Sequence, residues 1–162
     1  MGKKITDEAT PQSTGSGYPP PFDAPCMLRR RRRLGDAAGL SQFGVNLLTL
    51  PPGVWSSQRH WHTDEDEFIF VVSGEVVLIT DGGEEILGAG ECAGFKAGER
   101  DAHHLQNRTA RDAVVLEVGS RRTEVDETFY PGLDLKALKN DAGFARLDGS
   151  RYPAAQPRKP LT

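Results

Sequence analysis

Two β-rich runs, 67–72 (EFIFVV) and 75–80 (EVVLIT), are separated only by Ser73-Gly74. A connection that short favours an antiparallel hairpin, and a hairpin alone cannot bury its apolar face in water. The rest of the chain must supply strands to cover it. Residues 43–50 form an apolar-rich run stopped by Pro51-Pro52-Gly53, and 113–118 form another β-branched run. Asp81-Gly82-Gly83 marks the next turn, and Gly88, Gly90, Gly94 and Gly98 punctuate the middle. A helical period is present only weakly, over 133–138, and no internal repeat is visible. Many short strands with regular glycine turns predict an all-β fold, a sandwich or a barrel. A chain of 162 residues suits one domain with some length left at the ends, and it can form a core without disulfides.

The ends differ from the middle. Residues 1–25 carry Gly15, Gly17, Pro19-Pro20-Pro21 and Pro25, with too little apolar surface to order alone. They are expected to be a flexible arm, or one tied down by packing on the body or on a partner subunit. The C-terminal stretch, with Pro153, Pro157 and Pro160, reads the same way. The formal net charge of -3 argues against nucleic acid or an anionic membrane as a partner. No apolar run approaches the ~20 residues of a membrane span, and Lys3 and Lys4 are not followed by the apolar stretch of a secretory signal. Cys26 and Cys92 lie far apart with no CxxC spacing, so reduced thiols and a cytoplasmic location are expected, with Cys92 a buried structural thiol.

All four histidines fall in two short clusters, His60/His62 and His103/His104. In His60-Trp61-His62 on a strand, both imidazoles point to the same face and can grip one ion. Glu67 opens the next strand, and a hairpin-like return brings its carboxylate back beside them. His103, from a distant strand, would complete a three-histidine, one-carboxylate set. Those donors suit Fe, Mn, Ni, Co or Zn without choosing among them. Four protein ligands around an octahedral ion leave two positions for water, dioxygen or a chelating substrate.

These residues carry a resemblance. Residues 53–74 (GVWSSQRHWHTDEDEFIFVVSG) resemble the first cupin motif: a glycine, HxH, a glutamate and Gly74 further on. The gap from Gly53 to the first histidine is one residue longer than usual. Residues 90–107 (GECAGFKAGERDAHHLQN) resemble the second motif at Gly90, Gly98, His103 and Asn107. They depart from it at Lys96, where the motif has proline, and in two extra residues before the histidine. That insertion lets His104 compete for the metal; the spacing to Asn107 selects His103. The resemblance implies a double-stranded β-helix barrel over 26–128 with the metal inside, between an arm at 1–25 and an extension at 129–162. More narrowly, the chain resembles single-domain bacterial cupins with an Arg-rich first strand and a segment like Tyr130-Pro131…Asp134-Leu135 after the barrel, a group loosely labelled sugar-phosphate isomerase-like. It also implies a homodimer.

Counting by twos from the ligands turns Ser56, Gln58, Ile69, Val71, Leu105 and Asn107 inward, of which Gln58, Ile69 and Leu105 are taken as pocket lining. The pocket would hold a small-molecule ligand that chelates the metal. Two enzyme chemistries suit it. One is Lewis-acid isomerase or lyase chemistry, which needs a base, and no inward acid or lysine beyond the ligands is evident. The other is an iron dioxygenase, which asks less of the side chains. A non-catalytic barrel that binds metal and metabolite is the alternative, and a purely structural metal is a third. Asp64, Glu65 and Asp66 read as a solvated turn, and the five arginines at 29–33 as a strand with Arg on both faces pairing with acids. Binding a phosphate or carboxylate is the functional reading of that run. Trp55, Trp61, Phe68 and Phe70 read as core or dimer-interface groups.

Overall fold

In the computed structural model, residues 2, 4–6, 8–141 and 143–153 are described. The strands in chain order are β1 (Ser13–Thr14), β2 (Arg30–Arg33), β3 (Phe43–Leu50), β4 (Trp61–His62), β5 (Glu67–Ser73), β6 (Glu75–Thr80) and β7 (Gly83–Gly88). They continue as β8 (Cys92–Phe95), β9 (His104–Gln106), β10 (Ala113–Ser120), β11 (Thr128–Phe129), β12 (Lys136–Ala137) and β13 (Phe144–Ala145), and a short helix, α1 (Leu34–Ala38), follows β2. The β10 strand is the spine. It pairs antiparallel with β3 along its whole length and with β5 on its other edge, within a sheet ordered β1-β2-β3-β10-β5-β8. A second layer is ordered β7-β6-β9. Residues 53–60 run along its β9 edge: the Gly53 N–H donates to Asn107 and the Ser56 N–H to Leu105, both at 2.8 Å, and His60 and His103 exchange backbone hydrogen bonds. The four-strand ribbon β13-β12-β11-β4 completes the wall.

Strand alternation decides which residues meet between the layers. Leu48, Leu50, Ile69, Val71, Ala113 and Val115 form one buried cluster with Val54, Val76, Leu78, Leu87 and Leu105. The outer face of the larger sheet keeps Phe68, Phe70 and Val72 exposed. The expected hairpin across Ser73-Gly74 does not form, because β5 is already paired on both edges, with β10 and β8, and β6 with β7 and β9. Instead, Gly74 is a corner that carries the chain from one layer to the other. Its φ is 78°, and a Cβ would stand 2.8 Å from the Asp112 carbonyl. The true hairpin is β6–β7, closed by Asp81-Gly82.

The N-terminal arm is packed against the barrel. Tyr18, Pro19 and Cys26 are buried, and Tyr18 and Cys26 share a second small core with Tyr130 and Leu135. The weak helical period at 133–138 yields no helix; six residues are too few to hold one, and β12 pairs there with β11 and β13. Cys92 is exposed rather than buried, because it stands on the outward side of edge strand β8; Cys26 is the buried thiol. The arginine run is a strand as expected: Arg30 pairs outward with Asp112, and Arg31 pairs with Glu117. The proline reading at 157 and 160 falls outside the described residues. No helix among the described residues is long and apolar enough to cross a membrane.

Candidate metal centre and its cavity

Three elements bring four side chains to one point. His60 lies at the bridge to His103, His62 ends β4, and Glu67 opens β5 with its side chain turned inward. The Nε2 atoms of His60, His62 and His103 lie 3.4, 3.7 and 2.9 Å from Oε2 of Glu67. The donor atoms of His60, His62 and Glu67 are all within 4.8 Å of one another. Adjacent donors about 3 Å apart are what bonds of ~2.1 Å to one ion produce. Oε2 of Glu67 is buried with no hydrogen-bond partner; the His103 contact is short but not aligned as a hydrogen bond. An orphaned buried carboxylate oxygen facing three imidazoles fits a divalent cation.

The ring orientations of His60 and His62 agree, whereas Nδ1 of His103 is buried with no hydrogen-bond partner. Nδ1 of His60 lies 2.8 Å from the Gln58 carbonyl and Nδ1 of His62 lies 2.6 Å from Asp126, so each ring donates there and keeps its Nε2 lone pair for the centre. Burial works against the charge on Glu67, yet the neighbouring histidines outweigh it and hold the carboxyl well below its ordinary range. Burial lowers His103, leaving a neutral imidazole beside an ionised carboxylate. At His62 burial is outweighed by the Asp126 hydrogen bond and the Glu67 charge, and the net direction is upward. His104 is engaged elsewhere: its ring nitrogens meet the Ser57 carbonyl at 3.2 Å and Gln106 at 3.1 Å, and its edge packs on Trp55. Burial pushes it down to about 4.

The sequence profile of the Cupin domain matches residues 46–119. Among solved structures, a cupin-superfamily sugar phosphate isomerase from Silicibacter pomeroyi is 43% identical, with a TM-score of 0.84 over 94% of this chain and 98% of that one. The chain belongs to the cupin superfamily. A protein from Acidithiobacillus ferrooxidans (24% identity, TM-score 0.73, 90% of each chain) shares this fold. So does the polyketide cyclase RemF from Streptomyces resistomycificus (18%, TM-score 0.59, 74% of this chain and 80% of that one). A comparison with curated proteins found no match.

In this cupin the four donors face a cavity of about 360 Å³. Ser56, Ile69 and Leu105 line it, as strand parity indicates. Gln58 does not. Residues 54–60 hold only isolated bridges rather than a regular strand, so alternation fails and the Gln58 amide donates instead to the Phe22 carbonyl at 2.6 Å. The cavity also holds three acids beyond the ligand: Asp36, Glu65 and Glu117. Glu117 shares the inward face of β10 with Ala113 and Val115, a parity readable in 113–118. Glu65 is not a solvated turn residue: it lines the cavity beside His62, half-buried, and burial raises its carboxyl. Tyr130 stacks on His60 with ring centroids 5.9 Å apart, and burial holds it as a phenol well above its ordinary range. Between Glu67 and Arg121 the floor is glycine. Gly119 and Gly44 face each other across β10 and β3, and a Cβ on them would stand 3.8 Å from Glu67 Cγ and 3.5 Å from Arg121 Nε respectively. Asp126 had no signal in the sequence, since it sits alone in a loop outside both motifs.

Proposed function

We propose that this cupin is a metal-dependent enzyme acting on a small polar metabolite, with His60, His62, Glu67 and His103 holding one divalent transition ion. The reaction assigned is an isomerase or lyase step rather than dioxygenation. Bound there, the ion would polarise a substrate carbonyl as a Lewis acid. The chain's own residues handle protons. Glu117, ion-paired to Arg31 at 3.0 Å, is the base, and Tyr130, kept protonated by burial, is the donor. The observation that carries this reading is that a base lines the same cavity as the converging donors, which removes the objection to Lewis-acid chemistry.

The test begins with metal analysis of protein made without a metal-binding tag. About one ion per chain is expected, lost in His60→Ala/His62→Ala. Interconversion of sugar phosphates, the activity named for the S. pomeroyi relative, is then followed by NMR. Turnover should vanish in Glu117→Gln while the metal stays. Ligand binding without product over long incubation favours the non-catalytic barrel, and iron with substrate-dependent oxygen uptake favours a dioxygenase. No metal in the wild type, even after reconstitution, overturns the proposal. We also infer a homodimer through the apolar outer face of the large sheet, and a cytoplasmic location from the reduced thiols.

A further inference from the structure

The metal centre uses one side of the cavity, and the other side is built from arginine. On β2 and its approach, Arg29, Arg31 and Arg33 face the cavity, while Arg30 turns out to Asp112. Arg121 joins them from just beyond β10. The acids on that side are Glu117, 3.0 Å from Arg31, and Asp36, shared between Arg121 and Arg33, the latter at 3.6 Å. Arg29 is 5% exposed and donates to the carbonyls of Ser56 and Gly15, meeting no carboxylate there. On this side four guanidinium groups therefore face two carboxylates, while the other two acids of the lining, Glu65 and Glu67, lie at the histidine centre. Nε of Arg31 is buried with no hydrogen-bond partner, and Arg33 meets Asp36 only beyond hydrogen-bond reach. A run kept for solubility would not turn alternate side chains into a cavity.

We propose that Arg31, Arg33 and Arg121 form an anion subsite for the oxoanion head of a small ligand, a phosphate monoester or a carboxylate, whose other end reaches the three-histidine centre. This rests on the metal-centred reading of the cavity. Guanidinium forks match oxoanions in bidentate geometry and hold their charge at any working pH, which a lysine does less well. The glycine floor at Gly44 and Gly119 lies between the arginine side and Glu67, leaving room for the ligand's middle.

The test is calorimetric titration of metal-loaded protein at low ionic strength with inorganic phosphate and, separately, malonate; whichever binds names the head group. One ion per chain is expected. Arg33→Gln/Arg121→Gln should weaken binding about tenfold or more, since bonds to a charged group are at stake. Arg31→Lys, which keeps a charge beside Glu117 and so protects the fold, should weaken it as well. Arg108→Gln, on the surface pair with Glu84, should match the wild type. Affinity unchanged in both cavity variants, or no binding of either dianion, overturns the subsite. Repeating the titration in His60→Ala/His62→Ala separates the two readings. Arginine-dependent binding that survives there leaves the subsite standing whatever becomes of the metal. Binding that needs the ion but not the arginines overturns the subsite alone.

Discussion

Asp126 accepts the Nδ1 proton of His62 and is itself held by the Asp64 N–H at 2.9 Å. A carboxylate in that position fixes the ring and strengthens Nε2 as a donor. The Gln58 carbonyl does the same for His60, whereas His103 is held by stacking on Phe95, with ring centroids 3.4 Å apart. Asp126→Asn should lower metal affinity about 10–100-fold with the fold retained, measured by titration against a competing chelator. Unchanged affinity would mean that His62 is not oriented through this contact. At this scale the candidate ligands were legible because each motif is local, with His60, His62 and Glu67 inside eight residues. Asp126 was not, because what gives it a role is a neighbour 64 residues away; the arginine run was legible as acid-pairing, but not its partner, since Glu117 lies 86 residues from Arg31.

Asn107 shows how one side chain ties elements together. It is fully buried, donates to the carbonyls of Leu50 and Arg111 at 2.7 Å each, and accepts the Thr109 N–H at 2.9 Å. It thereby pins the end of β3 to the loop that enters β10. Asn107→Ala removes the amide donor to the buried Leu50 carbonyl and opens a polar cavity, and should cost about 3 kcal/mol, read from the denaturant midpoint. A loss below ~1 kcal/mol would show that water replaces the amide. The strands at 43–50 and 75–80 were readable to the residue because apolar runs and their turns are local signals. The Ser73-Gly74 corner departs from the expected hairpin for the opposite reason. A two-residue link looks the same whether its strands pair with each other or with strands far along the chain, and here β10 and β9 claim them. Glu117 follows the same parity that placed Ile69, but it is the one charged member of a run whose other inward residues, Ala113 and Val115, are apolar.

Over the whole molecule, the unexplained surface is the outside of the six-strand sheet. Phe68, Phe70 and Val72 stand exposed there, and Leu47, Leu116 and Val118 are half-buried beside them in register. A second copy covering this face would remove it from water. Sedimentation of the wild type should give twice the chain mass, and Leu116→Glu should give a folded monomer. A monomeric wild type would refute the pairing. The interior carries a different consequence. Gly44 and Gly119 have ordinary backbone angles, so what they contribute is emptiness rather than a turn. For the ligand proposed to span the cavity, length would thus be governed by two missing methyl groups, apart from both the arginines and the histidines. A gene copy that acquired alanine at either place would shorten the ligand that fits while leaving the histidines and arginines where they are, a single-codon step toward a different preference.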